Sequence, residues 1–217
     1  MAANTRACLV DVYETLLEYD FAAHSRELAL RAGADLEAWR RAQVSILPDF
    51  DRGLLSMADA ITRILRACGI APRPDLVAEL ARADKEFMAV GCGLYDDAVP
   101  FLTQLRSRGV KIALVSNCAA DTRPLLARLD LIPLADEVIL SCEVGYAKPS
   151  PEIYLRALEA LGVPPGDAAM IDDQVPYCAG AEAVGIKAVQ VARGGDAPET
   201  GFPFVRSLLD VPGVLWD

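Results

Sequence analysis

The chain has 217 residues, of which 53% are hydrophobic, and its formal net charge is −10. That length and apolar content allow one full core, or a core with a small second unit, and exclude a disordered chain. The acid excess excludes a protein that runs along a nucleic-acid backbone, yet a small anionic substrate needs only local positive charge.

In chain order, the first apolar run is "ACLVDVY", near the start. "KIALVS" at 111–116, "EVILS" at 137–141, "AAMID" at 168–172 and "KAVQVA" at 187–192 follow much later. Continuous apolar runs of this length suit parallel strands covered on both faces. Helical patterns separate them: "DDAVPFLTQLRSRG", closing on Gly109, then "DTRPLLARLDL", "SPEIYLRALEALG" and "AGAEAVG". Strand–helix alternation predicts an α/β fold, a Rossmann-like doubly wound parallel sheet.

Residues 17–93 break the alternation and carry no convincing strand. They read as helices: "AAHSRELALRAG", "LEAWRRAQVSIL", "SMADAITRILRACG" and "DLVAELARADKEFMAVG". The third opens on Ser56 and Asp59, a capping box with Asp in place of Glu or Gln. An α-helical block is thus inserted after the first strand. It divides the chain into a core of residues 1–16 and 94–217 and a cap of residues 17–93. "GGDAPETGFP", after Arg193, reads as a loop.

The six cysteines form no C-x-x-C pair, which argues against zinc, and free thiols suit a reducing cytoplasm. Cys118 and Cys178 read as small apolar fillers near the sheet. No apolar run resembles a signal peptide or a membrane span. The one histidine, His24, excludes a multi-histidine metal site and reads as a solvated helix residue. Acid–base chemistry then falls to carboxylates, Lys or Tyr.

Three strands end in reactive groups: Asp11, then Ser116 and Asn117, then Asp172 and Asp173. Ligands of open α/β sheets bind beyond the carboxyl ends of the strands, so these groups are expected in one crevice. Lys148, in "GYAKPSPEIY", adds a cation just before a helix that Pro149 and Pro151 help to start.

This order resembles the haloacid dehalogenase superfamily of hydrolases over nearly the whole chain. "DVYETL" matches the first family motif at Asp11 and Thr15 but has Tyr13 for its second Asp. Ser116 in "ALVSN" matches the second motif and Lys148 the third. "MIDD" and "GAEAVG" match the fourth at Asp172, Asp173, Gly180 and Ala181. The resemblance implies a hydrolase in which Asp11 attacks the substrate and forms a covalent intermediate. In its phosphatase branch a Mg²⁺ ion removes the repulsion between carboxylate and phosphate. The implied ligands are Asp11, the backbone carbonyl of Tyr13 and Asp172, with Asp173 bound directly or behind them. Ser116, Asn117 and nearby amides would hold the phosphoryl group, Lys148 would balance the carboxylates, and Thr15 would hold the loop.

Tyr13 points elsewhere. With an ordinary pKa of about 10 it is a poor base at neutral pH. Tyr at this position is typical of the 2-haloacid dehalogenase branch, which expels halide and needs neither metal nor acid. Arg40, in "AWRRAQ", sits where that branch places an arginine for the halide or carboxylate, and Tyr154 also matches. From the residues alone, Arg40 reads equally well as a helix-surface cation and Tyr154 as helix–sheet packing. The branch has neutral residues where this chain has Asp172 and Asp173, and Tyr177 stands where the fourth motif often has an acid or Asn. Glu14 replaces a common Gly and is expected to point away along an extended loop. The carboxylate pair decides for a Mg²⁺-dependent phosphatase of a small phosphorylated metabolite. A metal-independent 2-haloacid dehalogenase is the first alternative and a non-catalytic binding member the second. A small anionic substrate, no nucleic acid or membrane partner, and a monomer or homodimer complete the expectation.

Overall fold

The computed structural model describes residues 5–194, 199 and 201–216, so half of the loop expected after Arg193 lies outside the described residues. Strand β1 (Ala7–Val10) leads through a tight turn to β2 (Leu17–Tyr19). Four helices follow, α1 (Phe21–Ala32), α2 (Leu36–Phe50), α3 (Met57–Ala67) and α4 (Pro74–Gly91). The chain returns through β3 (Cys92–Leu94). It then runs α5 (Ala98–Ser107), β4 (Lys111–Ser116), α6 (Thr122–Arg128), β5 (Glu137–Leu140), α7 (Ser141–Val144) and α8 (Pro151–Leu161). Last come β6 (Ala168–Asp172), α9 (Val175–Ala183), β7 (Lys187–Val191), β8 (Phe204–Val205) and α10 (Val211–Trp216).

Six strands form one parallel sheet in the order β5-β4-β1-β6-β7-β8. Side chains alternate across it, because successive residues of a strand point to opposite faces. Cys8, Val10, Ile112, Leu114 and Ile171 pack against Phe101, Leu105 and Leu126 of α5 and α6. Ala7, Leu9, Ala113, Val115 and Met170 pack against Ile153, Leu158 and Leu161 of α8. Burial on both faces is why these strands read as unbroken apolar runs. The strand order reverses between β1 and β6, and an open sheet binds its ligands at such a switch point.

The inserted helices enclose an apolar cluster of their own, with Trp39, Ile61, Leu65 and Leu80 fully or nearly fully buried. Ser56 caps α3 by accepting from the Asp59 amide, as expected, while the Asp59 carboxylate takes the Ser56 hydroxyl rather than its backbone N–H. One expectation fails at the edges of this block. Leu17–Tyr19 and Cys92–Leu94 are antiparallel strands, paired Leu17 to Leu94 and Tyr19 to Cys92, so the chain enters and leaves the helices through a two-stranded ribbon. Three residues a side, one of them Gly93, are too few to show a period. β8, paired in parallel with β7, escaped for the same reason. No described helix is long and apolar enough to cross a membrane.

Candidate active site

The strand-end residues converge as the sheet order requires. The Asp11 amide donates to Ile171 O at 2.9 Å, which extends the β1–β6 ladder by one residue and sets Asp11 beside Asp172. Lys148 lies between them, its Nζ 2.5 Å from Asp11 Oδ1 and 2.6 Å from Asp172 Oδ2, with its side chain fully buried. The second Asp172 oxygen accepts from the Gln174 amide at 2.9 Å. Burial alone would lower the Lys148 pKa, but the two carboxylates outweigh it and hold the ammonium above its ordinary value. Burial raises the Asp172 carboxyl, with Lys148 opposing and Asp11 adding to the rise. Asp173 is pushed up to about 8, by burial first and then by Asp11 and Asp172.

A frame of neutral groups holds Lys148 in place. Asn117 clamps its backbone from both sides, Nδ2 donating to Lys148 O at 2.9 Å and Oδ1 accepting from Lys148 N at 2.7 Å. Asn117 is therefore committed to positioning Lys148, where a ligand for the phosphoryl group was expected. The Tyr177 ring covers the Lys148 ammonium at 4.8 Å, and the Tyr154 hydroxyl donates to Tyr177 O at 2.8 Å. Gly180 closes the frame. A Cβ there would sit 2.8 Å from Pro149 O and 2.9 Å from the Tyr154 hydroxyl, so only glycine lets α9 approach the Lys148–Pro149 segment. Ser116 is buried, and its hydroxyl makes one long contact, 3.4 Å to Asn117 O.

The turn after Asp11 departs from expectation in two ways. Glu14 is not extended: its φ is +58°, a left-handed conformation that glycine adopts freely and other residues at a cost of about 1–2 kcal/mol. Its carboxylate accepts from the Tyr19 amide at 2.5 Å and lies 3.5 Å from the Tyr95 hydroxyl, so it braces the ribbon below the inserted helices. The Thr15 hydroxyl, expected to hold the loop, is buried without a hydrogen bond among the described residues. Arg193, which no sequence pattern singled out, does that work. Its Nη2 donates to Thr15 O at 2.6 Å, its guanidinium grips Asp97, and it stacks 3.6 Å from the Tyr95 ring centroid. The Tyr13 hydroxyl is hydrogen-bonded to Thr122 Oγ1 at 2.9 Å, and burial raises its pKa further above the ordinary value.

A cavity of about 320 Å³ opens between the cluster and the inserted helices, lined on the core side by Asp11, Tyr13 and Asn117. Trp39, Gln43, Ile46, Leu47 and Phe50 of α2 line the far side. That spacing is one helical stripe, and Arg40 stands at its edge, about 20° beyond Leu47. Arg40, half-buried, sits 3.4 Å from Glu37 and is not among the described residues that line the cavity. His24 corrects the reading of a solvated residue: it is 4% exposed and lines the cavity. Its Nδ1 meets the Tyr19 hydroxyl at 2.7 Å, and its Nε2 lies 3.1 Å from Asp84 Oδ1, at ion-pair distance but not aligned for a hydrogen bond. Cys178 is buried as expected, and Cys118 packs in the core with its Sγ 3.9 Å from Cys142 Sγ.

The haloacid dehalogenase-like hydrolase profile matches residues 5–185. The chain belongs to this family of hydrolases. Its relatives fall on both sides of the Tyr13 question. A glyceraldehyde 3-phosphate phosphatase of Methanopyrus kandleri is 33% identical over 160 residues, 68% of this chain and 69% of the relative. An (S)-2-haloacid dehalogenase 4A of Burkholderia cepacia is 30% identical over 230 aligned positions, 100% of this chain and 95% of the relative. Among solved structures, a dehalogenase is 27% identical with a TM-score of 0.72, each chain covered in full.

In this member of the family, Asp11, Asp172 and Asp173 each offer an oxygen, all within 4.8 Å of one another. Asp173 Oδ1 is buried with no hydrogen-bond partner among the described residues. An all-oxygen set with an orphaned carboxylate oxygen fits a hard divalent cation such as Mg²⁺.

Proposed function

We propose that the chain is a Mg²⁺-dependent phosphatase that hydrolyses a small phosphorylated metabolite through a phosphoryl-aspartate on Asp11. Its core is residues 1–16 and 94–217, and residues 17–93 serve as a cap that keeps bulk water from the intermediate. One observation carries the reading: three clustered carboxylates are served by a single buried ammonium, Lys148. Like charges this close repel unless a cation joins them. Asp11, Asp172, Asp173 and the Tyr13 carbonyl would hold the Mg²⁺, which when bound neutralises the charge between carboxylate and phosphate.

The residues of the chain then divide the work. Lys148 takes Asp11 Oδ1, while Oδ2 has no hydrogen bond among the described residues. Oδ2 attacks phosphorus as the bond from phosphorus to the ester oxygen breaks, and the electron pair leaves on that oxygen. The Ser116 hydroxyl, held only by its long contact, takes a phosphoryl oxygen. Water then attacks the acyl phosphate, which restores the Asp11 carboxylate and releases inorganic phosphate. Tyr13 is tied to Thr122 and Glu14 to Tyr19, so the leaving oxygen departs without a proton from either.

Tyr13 and the full-length similarity to a haloacid dehalogenase favour a second reading, in which Asp11 attacks carbon and expels halide. Against it, among the described residues no Lys or Arg, Arg40 included, lines the cavity. The test is phosphate release from acetyl phosphate beside halide release from 2-chloropropionate, each with Mg²⁺ and with chelator, for the native chain and Asp11→Asn. Metal-dependent phosphate release that Asp11→Asn abolishes is expected. Halide release indifferent to chelator would overturn the proposal, and no release of either kind would point to a non-catalytic binding role.

A further inference from the structure

The cavity carries information about the substrate that the catalytic cluster does not. Its far wall is apolar, built from Trp39, Ile46, Phe50, Ile61, Ile64 and Met88. Its charged groups are almost all acidic: besides Asp11, the carboxylates of Glu14, Asp51, Asp84 and Asp121 line it, and His24, the one basic residue lining it among the described residues, lies 3.1 Å from Asp84. A second phosphate or a carboxylate on the substrate would meet like charge with no partner to offset it. The volume, about 320 Å³, falls in the range of small-ligand pockets.

Leaving-group chemistry points the same way from the other side of the site. With Tyr13 in place of an acid, and Glu14 committed to the ribbon, the ester oxygen departs as an anion. A phenol, with an ordinary pKa of about 10, leaves far more readily than a sugar alcohol. An aromatic ring is also the group that an apolar wall of Trp, Phe, Ile and Met receives best.

We infer that the cavity selects phosphate monoesters of a neutral, apolar, aromatic-sized alcohol, and disfavours sugar phosphates and any substrate with a second anionic group. The inference rests on the phosphatase reading and deepens it. The bond between phosphorus and the aryl oxygen breaks as Asp11 Oδ2 bonds to phosphorus. The phenolate takes its proton from water, and a second water returns Asp11 and inorganic phosphate.

The experiment compares kcat/KM in Mg²⁺ for acetyl phosphate, 1-naphthyl phosphate, glucose 6-phosphate and 3-phosphoglycerate. Acetyl phosphate reports Asp11 chemistry without an apolar body. The expected result is turnover of acetyl phosphate, with 1-naphthyl phosphate at least about tenfold above both metabolites, the scale on which apolar pockets discriminate. Phe50→Ala, at a half-buried wall position, should reduce kcat/KM for 1-naphthyl phosphate several-fold more than kcat/KM for acetyl phosphate. Turnover of acetyl phosphate with glucose 6-phosphate or 3-phosphoglycerate equal to or above the naphthyl ester would overturn the inference and leave the phosphatase reading standing. If no phosphate is released from acetyl phosphate or from any ester, that reading fails, and titration calorimetry with 1-naphthol decides the cavity's preference. Binding weakened by Phe50→Ala would sustain it, and no binding would overturn it.

Discussion

The two walls of the crevice are built on opposite principles. On the core side, Lys148 compensates Asp11 and Asp172, and Asn117, Tyr177 and Tyr154 hold Lys148 or its cover in place. On the far side, Asp51 is half-buried against an apolar wall, with Lys148 as an electrostatic relief. The first wall is a network in which each charge depends on another. The second is a packed surface in which a charge is a local cost. Removing a charge should therefore act in opposite directions on the two sides.

The largest effect is expected at the network. Asp11→Asn should lower turnover on the order of 10⁴-fold or more, because nothing else in the site replaces the nucleophile. Lys148→Met should also abolish turnover, and it strands two buried carboxylates, at a cost of about 3–5 kcal/mol. Thermal melts at pH 7.5 should show a drop of roughly 8–15 °C. The drop should shrink toward pH 4, as Asp172, whose carboxyl burial already raises, takes up a proton in place of the missing ammonium. A Lys148→Met chain as stable as the native one at pH 7.5 would break the comparison.

Gly180→Ala is expected to act next most strongly. It adds no charge, yet its Cβ would press on Pro149 and the Tyr154 hydroxyl, the segment that carries Lys148. Overpacking of this kind costs about 1–3 kcal/mol. The displaced ammonium should lower kcat by about 10- to 100-fold, with the acetyl phosphate KM little changed. A loss of stability with native kcat would show that Gly180 serves packing alone.

Asp51→Asn is the smallest effect and has the opposite sign. Burial pushes the Asp51 carboxyl up to about 6, with Lys148 opposing. A folded-state pKa raised above the unfolded value means that folding favours the protonated acid. Its stabilising contribution is present below about pH 4 and is lost as pH rises through 6. At pH 7.5 the ionised group is a penalty of roughly 1–3 kcal/mol, reduced by its partial contact with solvent. Asp51→Asn should thus raise the melting temperature by a few degrees at pH 7.5 and by nothing near pH 4. A lower melting temperature at pH 7.5 would mean that Asp51 has a partner.

The same contrast explains what the sequence made legible. Asp11, Ser116, Asp172 and Asp173 stand at the ends of apolar runs, and parallel-sheet topology alone brings such ends together. Lys148 was legible from its place before a Pro-started helix. The partners that hold these groups were not. Arg193 reaches Thr15 from a position 178 residues away, and no local pattern encodes that contact. The tight turn at Glu14 was hidden because Glu sits where glycine would announce a left-handed residue. The cavity was the least legible region. Which of Trp39 and Arg40 faces it depends on the rotation of α2, and the sequence shows the stripe only once Gln43, Ile46 and Phe50 are known to share it. His24 looked solvated because its partners, Tyr19 and Asp84, lie on the ribbon and on α4.

The central claim is that the carboxylate cluster lacks one cation and binds a divalent ion. Titration calorimetry of Mg²⁺ into the native chain and into Asp173→Asn at pH 7.5 tests it without reference to any substrate. The account predicts one Mg²⁺ site in the native chain, lost or strongly weakened in Asp173→Asn. A native chain that binds no Mg²⁺ and still releases halide from 2-chloropropionate would contradict it.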